Sequence, residues 1–187
     1  MRVEQQVEGP RPVVKAGPAA AMVSDVPVAD AGAVPLTDKT ILLVGSSGGH
    51  LTQLRALEPW LAQHNPLWVT FDKPDARAVL ADDHVIHGYH PTTRNIPNLI
   101  RNTRLAWRIL SGQRVDAIVS SGAGLALPFF ILGRLRGIPT FFIEVYDRID
   151  SASLTGRLCR PLSTAVFLQW EEQRAFYPDG IVIGRLL

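Results

Sequence analysis

From Thr40 onward the chain alternates between two hydrophobic rhythms. Short, continuous apolar runs rich in β-branched residues have the pattern of buried strands, and longer stretches with apolar residues three or four apart have that of helices. Strands are predicted at 40–44, 67–71, 84–87 (the weakest), 115–120, 140–144, 165–168 and 181–183. Helices are predicted between them. The first, 50–62, places Leu51, Leu54, Leu57 and Leu61 at helical spacing. The second, 74–81, opens with Pro74, which a first helical turn tolerates. Segments 98–111, 124–136, 154–159 and 171–176 complete the set, and 88–97 is predicted loop, punctuated by Pro91 and Pro97. Strands that are apolar throughout, alternating with helices, call for a parallel sheet covered on both faces. The expected fold class is α/β, a Rossmann-like doubly wound parallel sheet.

Residues 1–38 break this rhythm. They hold five of the 14 prolines, no Ile, no aromatic residue and one Leu, Leu36. Such a segment buries too little large apolar surface to offset its ordering entropy, and a disordered tail is expected. Glu4 and Glu8 at its start, with no apolar core after them, do not fit a signal peptide. The expected organisation is therefore a tail, 1–38, followed by one domain, 39–187. The whole chain carries a net +2; the domain alone, with 16 basic and 12 acidic side chains, carries +4. The most apolar stretch, 124–133, is about half of the ~20 residues a spanning helix needs. The single cysteine, Cys159, excludes an intrachain disulfide framework and a Cys-based zinc site, which fits a cytoplasmic location. No metal or cofactor is called for.

In a doubly wound sheet, ligands bind beyond the carboxyl ends of the strands where the strand order reverses, between the first and fourth strands. Both of these strands end in small-residue loops. One is Gly45-Ser46-Ser47-Gly48-Gly49-His50 and the other Ser120-Ser121-Gly122-Ala123-Gly124. Glycines let the backbone approach a ligand closely, so the pair reads as a phosphate or diphosphate site. Either loop alone is equally a tight strand–helix turn with serine caps. The first loop is neither G-x-G-x-x-G nor a Walker A loop. It matches G-x-S-x-G, with Ser47 as nucleophile. However, it follows the first strand rather than several, and lacks an oxyanion segment before it and an Asp–His pair after it. His50 is a candidate base or phosphate/sugar contact, or else a solvent-facing helix-end residue. Glu144, at the end of the fifth strand, is a candidate general base, or else a partner for Arg148 or a helix cap.

A basic segment follows. Arg94, Arg101, Arg104, Arg108 and Arg114 occur with no acidic residue between the first and the last, and 101, 104 and 108 share one helical face. With Trp107 they suit an interfacial helix on an anionic membrane; the alternative is an ordinary surface helix. The loop region lacks the interleaved stacking aromatics of single-strand binders, which disfavours nucleic acid.

Several motifs together carry a family resemblance. "ILLVGSSGGHL" at 41–51 resembles the first glycine loop of the MurG-like family-28 glycosyltransferases. "WVTFDKPDAR" at 68–77, "PTTRNIPNLIRN" at 91–102, "SSGAGLALPFF" at 120–130, "FIEVYDRID" at 142–150, "LTGRL" at 154–158 and "QWEEQ" at 169–173 are similar, in that order, to bacterial polysaccharide-biosynthesis proteins of the PssD/CpsF type. Those in turn are similar to the membrane-associated subunit of the eukaryotic dolichyl-diphosphate-GlcNAc N-acetylglucosaminyltransferase. The resemblance implies the N-terminal-type, acceptor-side half of a GT-B glycosyltransferase, completed by a separate donor-binding, PssE-like subunit that brings a UDP-sugar. It implies sugar transfer with inversion to a polyprenyl-diphosphate-linked acceptor in exopolysaccharide or capsule biosynthesis, with the chain peripheral at the inner face of the plasma membrane. His50, then Glu144, would be the base. Gly45, Ser46, Ser47, Gly48, Gly49, Ser121, Gly122 and Gly124 would hold the diphosphate. Arg94, Arg101, Arg104, Trp107 and Arg108 would form the membrane face. The alternatives are a non-catalytic membrane anchor for the catalytic subunit, and a serine hydrolase using Ser47.

Overall fold

The computed structural model describes residues 37–186, so the tail expected at 1–38 lies outside the described residues except for Thr37 and Asp38. The chain runs β1 (Thr40–Val44), α1 (Gly49–Arg55), α2 (Glu58–Leu61), β2 (Asn65–Phe71), α3 (Pro74–Val79), β3 (Val85–Gly88), α4 (Ile96–Gly112), β4 (Ala117–Ser120) and α5 (Ala126–Leu135). It continues with β5 (Thr140–Ile143), α6 (Leu154–Cys159), β6 (Ala165–Leu168) and β7 (Ile181–Val182), with 3-10 turns at Arg160–Leu162 and Glu171–Ala175. The seven strands form one sheet, β3-β2-β1-β4-β5-β6-β7, and every pairing is parallel. The order reverses between β1 and β4, which pair from Ile41↔Ala117 to Val44↔Ser120.

Two cores flank this sheet because successive strand residues point to opposite faces. Leu42 and Val44 join the larger core beneath α4, α5 and α6, with Phe129, Phe130, Phe142 and Cys159. Ile41 and Leu43 join the smaller core with Leu51, Leu54, Leu61 and Trp68. Most expected elements shift by one or two residues at their ends, and three differ in kind or extent. The single helix at 50–62 is two helices, because Pro59 near the start of α2 lacks the N–H needed to continue the ladder. The expected helix at 171–176 is a 3-10 turn, Glu171–Ala175. The loop at 88–97 is shorter at both ends. Gly88 belongs to β3, and Pro97 sits in the first turn of α4, whose N-cap Asn95 accepts from Asn98 N at 2.9 Å.

One carboxylate ties the amino-terminal edge of the sheet together. Asp116 Oδ2 accepts from Thr40 N at 2.9 Å, and Oδ1 accepts from Arg114 Nε at 2.9 Å. The Thr40 amide, and then the Arg114 guanidinium, hold this carboxyl below the usual carboxylate range. Asp116→Ala is expected to lower the unfolding free energy by about 1–2 kcal/mol at neutral pH. Because the folded pKa is depressed, this contribution is present above the unfolded value of about 4 and is lost as pH falls through the folded value. Urea titrations of the two proteins should therefore converge below about pH 4; a constant gap would refute this role.

Candidate functional site

The two glycine loops meet where β1 and β4 lie side by side. They are joined by a reciprocal pair of hydrogen bonds. The His50 ring nitrogen Nδ1 lies 2.8 Å from Ser121 O, and Ser121 Oγ donates to His50 O at 2.9 Å. A carbonyl only accepts, so Nδ1 carries the hydrogen and the neutral ring keeps its lone pair at Nε2. Among the described residues Nε2 has no hydrogen-bond partner. Gly122 lies under the ring with φ +121°, and a Cβ there would stand 3.0 Å from His50 Cε1 and 3.3 Å from Nδ1. A side chain at 122 would thus be strained and would displace the imidazole. Gly45 is needed for a different reason: a Cβ would meet Leu54 Cδ1 at 2.9 Å.

A third segment, 145–155, follows β5 and faces the two loops. Together they enclose a cleft of about 450 Å³, with Gly49, His50, Gln53 and Ala123 on one side and 145–148 and 153–155 on the other. Behind this wall the polar groups are buried and paired. Glu144 is fully buried: Oε1 accepts from Val145 N at 3.0 Å, and Oε2 accepts from Ser153 N and Ser153 Oγ, each at 3.2 Å, and from the Tyr177 hydroxyl. Burial, and then the Glu144 hydrogen bond, push the Tyr177 phenol up, so it donates as a neutral group. Gln173 is also fully buried and uses its whole amide. Oε1 accepts from Gln169 N at 2.8 Å and Trp170 N at 3.3 Å; Nε2 donates to Val145 O and Arg148 O, each at 3.0 Å. Gln169 Nε2 donates to Gln53 Oε1 at 3.0 Å and Glu144 O at 2.9 Å, and Trp170 Nε1 donates to Tyr146 O at 2.7 Å.

The structure brings His50, Gly49, Ser121 and Gly122 to one point and distributes the remaining candidates around it. Ser121 is buried, with its hydroxyl committed to His50 O. Gly48 N donates to Asp75 Oδ2 at 2.7 Å, so a carboxylate of the chain already occupies that part of the loop. Gly124 packs against Thr92, where a Cβ would stand 3.1 Å from the side chain. Ser46 Oγ donates to Ser47 O at 3.2 Å, and no hydrogen bond links the Ser47 hydroxyl to an imidazole among the described residues. Glu144 lies at the expected strand end, but it faces inward and cannot reach a substrate in the cleft. The cap of α6 is Ser153, whose hydroxyl accepts from Gly156 N at 2.9 Å, and Glu144 in turn accepts from Ser153. The roles of Gln53, Gln169, Gln173 and Tyr177 are not legible in the sequence. The one local signal is that Gln169 follows directly on the apolar strand 165–168 and is almost fully buried. Cys159 is free, and burial pushes its thiol up to about 12, which leaves it unreactive as a nucleophile.

On α4 the exposed arc carries Ile96, Ile100 and Trp107, flanked by exposed Arg101, Arg104 and Arg108; Arg94 is exposed in the preceding turn with φ 50°. The guanidinium of Arg136 stacks 4.2 Å from the centre of the Trp107 ring, and Leu135 of α5 is 77% exposed beside it. Arg101 is engaged locally, donating to Asn98 Oδ1 at 3.3 Å and lying 5.7 Å from the Tyr89 ring centre. No helix among the described residues is long and apolar enough to cross a membrane.

The backbone closely follows known structures. MurG from Acinetobacter baumannii superposes with a TM-score of 0.65 at 19% identity, covering 77% of this chain and 44% of that one. The fold is a Rossmann-like α/β half-domain of the kind that makes up about half of that structure. A UDP-N-acetylglucosamine 2-epimerase from Rickettsia bellii superposes at 0.63 with 12% identity, over 80% of this chain and 45% of that one, so this fold also serves another reaction. The chain spans less than half the length of either structure. In sequence it is similar to the UDP-N-acetylglucosamine transferase subunit ALG14 of Mus musculus, 21% identical over 185 residues, covering 82% of this chain and 85% of that protein. The Homo sapiens protein of the same name is 22% identical over 184 residues, with the same coverage. No family model matches the chain.

The His50 geometry predicts a specific tautomer. Long-range ¹H–¹⁵N spectra should show a pyrrole-type Nδ1 and a pyridine-type Nε2 at a pH where the ring is neutral, and Gly122→Ala should abolish that preference. An Nε2–H ring in the wild-type protein would refute the assignment.

Proposed function

We propose that this chain is the acceptor-side subunit of a two-chain inverting glycosyltransferase. A second, donor-binding subunit of the PssE-like kind would carry a UDP-sugar to the cleft, and the acceptor would be a polyprenyl-diphosphate-linked sugar of exopolysaccharide or capsule synthesis. The observation that carries the reading is the His50 ring, oriented by Ser121 O so that its lone pair is free at the edge of an open cleft. Its support is the GT-B half fold and the similarity to a named transferase subunit.

The chemistry follows from the placement. An acceptor hydroxyl in the cleft donates to Nε2 of His50 and attacks the anomeric carbon of the donor sugar. The imidazole takes the hydroxyl proton as the new glycosidic bond forms and the nucleoside diphosphate leaves from the opposite face. The carbonyl of Ser121 stabilises the imidazolium through Nδ1–H. Glu144 acts by position: it holds the start of the wall segment against Ser153 and Tyr177. The acceptor diphosphate lies between Gly49 and Ala123, at the mouth of the loops. The exposed face of α4, with Trp107 between arginines and Leu135 of α5 beside it, rests on an anionic bilayer at the inner face of the plasma membrane.

The competing reading is a non-catalytic anchor; one measurement separates the two and a second tests the membrane face that both require. His50→Ala should reduce transfer by the reconstituted pair by about 10²–10⁴-fold without weakening subunit association; unchanged transfer leaves the anchor reading. In vesicle sedimentation, replacing Arg104 and Arg108 together with Glu should lower binding to vesicles containing anionic lipid by about 30-fold or more. Equal binding would remove α4 from the membrane contact.

A further inference from the structure

The wall of the cleft has an unusual construction. Between Glu144 and Arg148 the backbone has left the sheet, and four of its carbonyls are held by side chains of one short segment. Gln169 holds Glu144 O, Gln173 holds Val145 O and Arg148 O, and Trp170 holds Tyr146 O. Backbone carbonyls that leave a sheet need new partners, and here the partners are side chains that set the course of the wall, at Glu144 and Val145 in buried bonds. Gln173 leaves no amide valence free, so its orientation is fixed.

This wall presents Arg148 to the cleft. The residue is exposed, lines the cleft opposite His50, and makes no ion pair among the described residues. The glycine loops that face it lack a cation of their own, and part of their donor capacity is taken by Asp75 and by internal bonds. Asp147 also lines the cleft, so the wall offers a carboxylate next to a guanidinium. A carboxylate accepts from sugar hydroxyls, and a guanidinium binds phosphate oxygens with two parallel donors. Tyr146 and Leu154 line the same cleft and are 44% and 74% exposed, an apolar lip beside the charged pair.

We propose that Arg148 is the phosphate-binding residue of the cleft, that its ligand is the diphosphate of a lipid-linked sugar, and that Gln173 is the positioning residue that holds it there. This rests on the acceptor-side reading above and adds to it the residue that supplies the positive charge. The apolar lip favours a lipid diphosphate over a nucleotide, since a hydrocarbon leaving the diphosphate would cross Tyr146 and Leu154.

Calorimetric titration of the full chain with geranyl diphosphate, inorganic pyrophosphate and UDP tests it without any transfer assay. Geranyl diphosphate should bind most tightly. Arg148→Ala should weaken it at least tenfold, and Arg148→Lys by less. Gln173→Met, of similar volume and without amide donors, should also weaken binding. The double variant should bind no more weakly than Arg148→Ala alone, because Gln173 acts through Arg148. If Gln173→Met does not fold, Gln173→Glu keeps the two accepted bonds and loses the two donated ones, and serves in its place. Wild-type binding by Arg148→Ala, additive losses in the double variant, tighter binding of UDP, or no binding of any diphosphate to the wild-type protein would each overturn the proposal. None of these results depends on transfer, so loss of the His50 role and loss of this site are separable.

Discussion

All seven strands of this sheet run in one direction, so all seven end at one edge. There the backbone loses its ladder partners while remaining close to the core, and each N–H and C=O must find another partner or meet water. At β1 and β4 the solution is a pair of tight loops that bond to each other, His50 with Ser121 in both directions. At β5 it is a set of side chains, buried Gln169 and Gln173 with half-buried Trp170, supplied by the chain just after β6. The cleft lies between these two solutions. Its shape is therefore a by-product of how the sheet edge satisfies its polar groups, and the functional side chains are those that the two arrangements leave over.

That division explains why two residues that resemble each other in sequence position behave differently. Both follow a central strand, Glu144 directly after β5 and His50 in the first turn of α1 after the loop that leaves β1. His50 meets a carbonyl, which can take only one ring hydrogen, so one nitrogen stays available. Glu144 meets two amides, a serine hydroxyl and the Tyr177 phenol, so both its oxygens are occupied. A carboxylate whose two oxygens are both engaged by donors inside the protein is a structural tie. The absence of a side chain at Gly156 belongs to the same arrangement, because a Cβ there would come within 2.6 Å of Glu144 Oε2.

The fold was largely readable from residue pattern, and the site only partly. Continuous apolar strands separated by helical spacing identified the parallel sheet and the β1–β4 switch point, since burial on both faces leaves a direct mark on sequence. Small errors arose where a local rule competed with the pattern: Pro59 divides a run of well-spaced leucines into α1 and α2. The glycine loops were visible for the same reason as the strands, because close approach demands glycine. The partners of the wall segment were not. Gln169 and Gln173 look like ordinary surface residues in "QWEEQ", and only the three-dimensional return of that segment behind β5 makes them buried. Long-range hydrogen bonds from amide side chains have no period and no composition that would disclose them.

The two working surfaces are also arranged with respect to each other. Helices in a parallel sheet run back against the strands, so α4 and α5 both begin at the edge that carries the cleft and end at the opposite edge. Ile96 and Ile100 lie in the first turns of α4, nearest the cleft, and Trp107 and Leu135 lie toward the far end of the same helical layer. Exposed apolar residues thus occur toward both ends of this helical layer. Both helices begin at the edge of the sheet that carries the cleft, so the proposed membrane contact extends from that edge. A phosphate anchored by a hydrocarbon chain stays at the depth of the headgroups. The proposed membrane face and the proposed phosphate site therefore favour the same ligand: a lipid-linked diphosphate gains from both, whereas a soluble nucleotide gains nothing from the membrane contact.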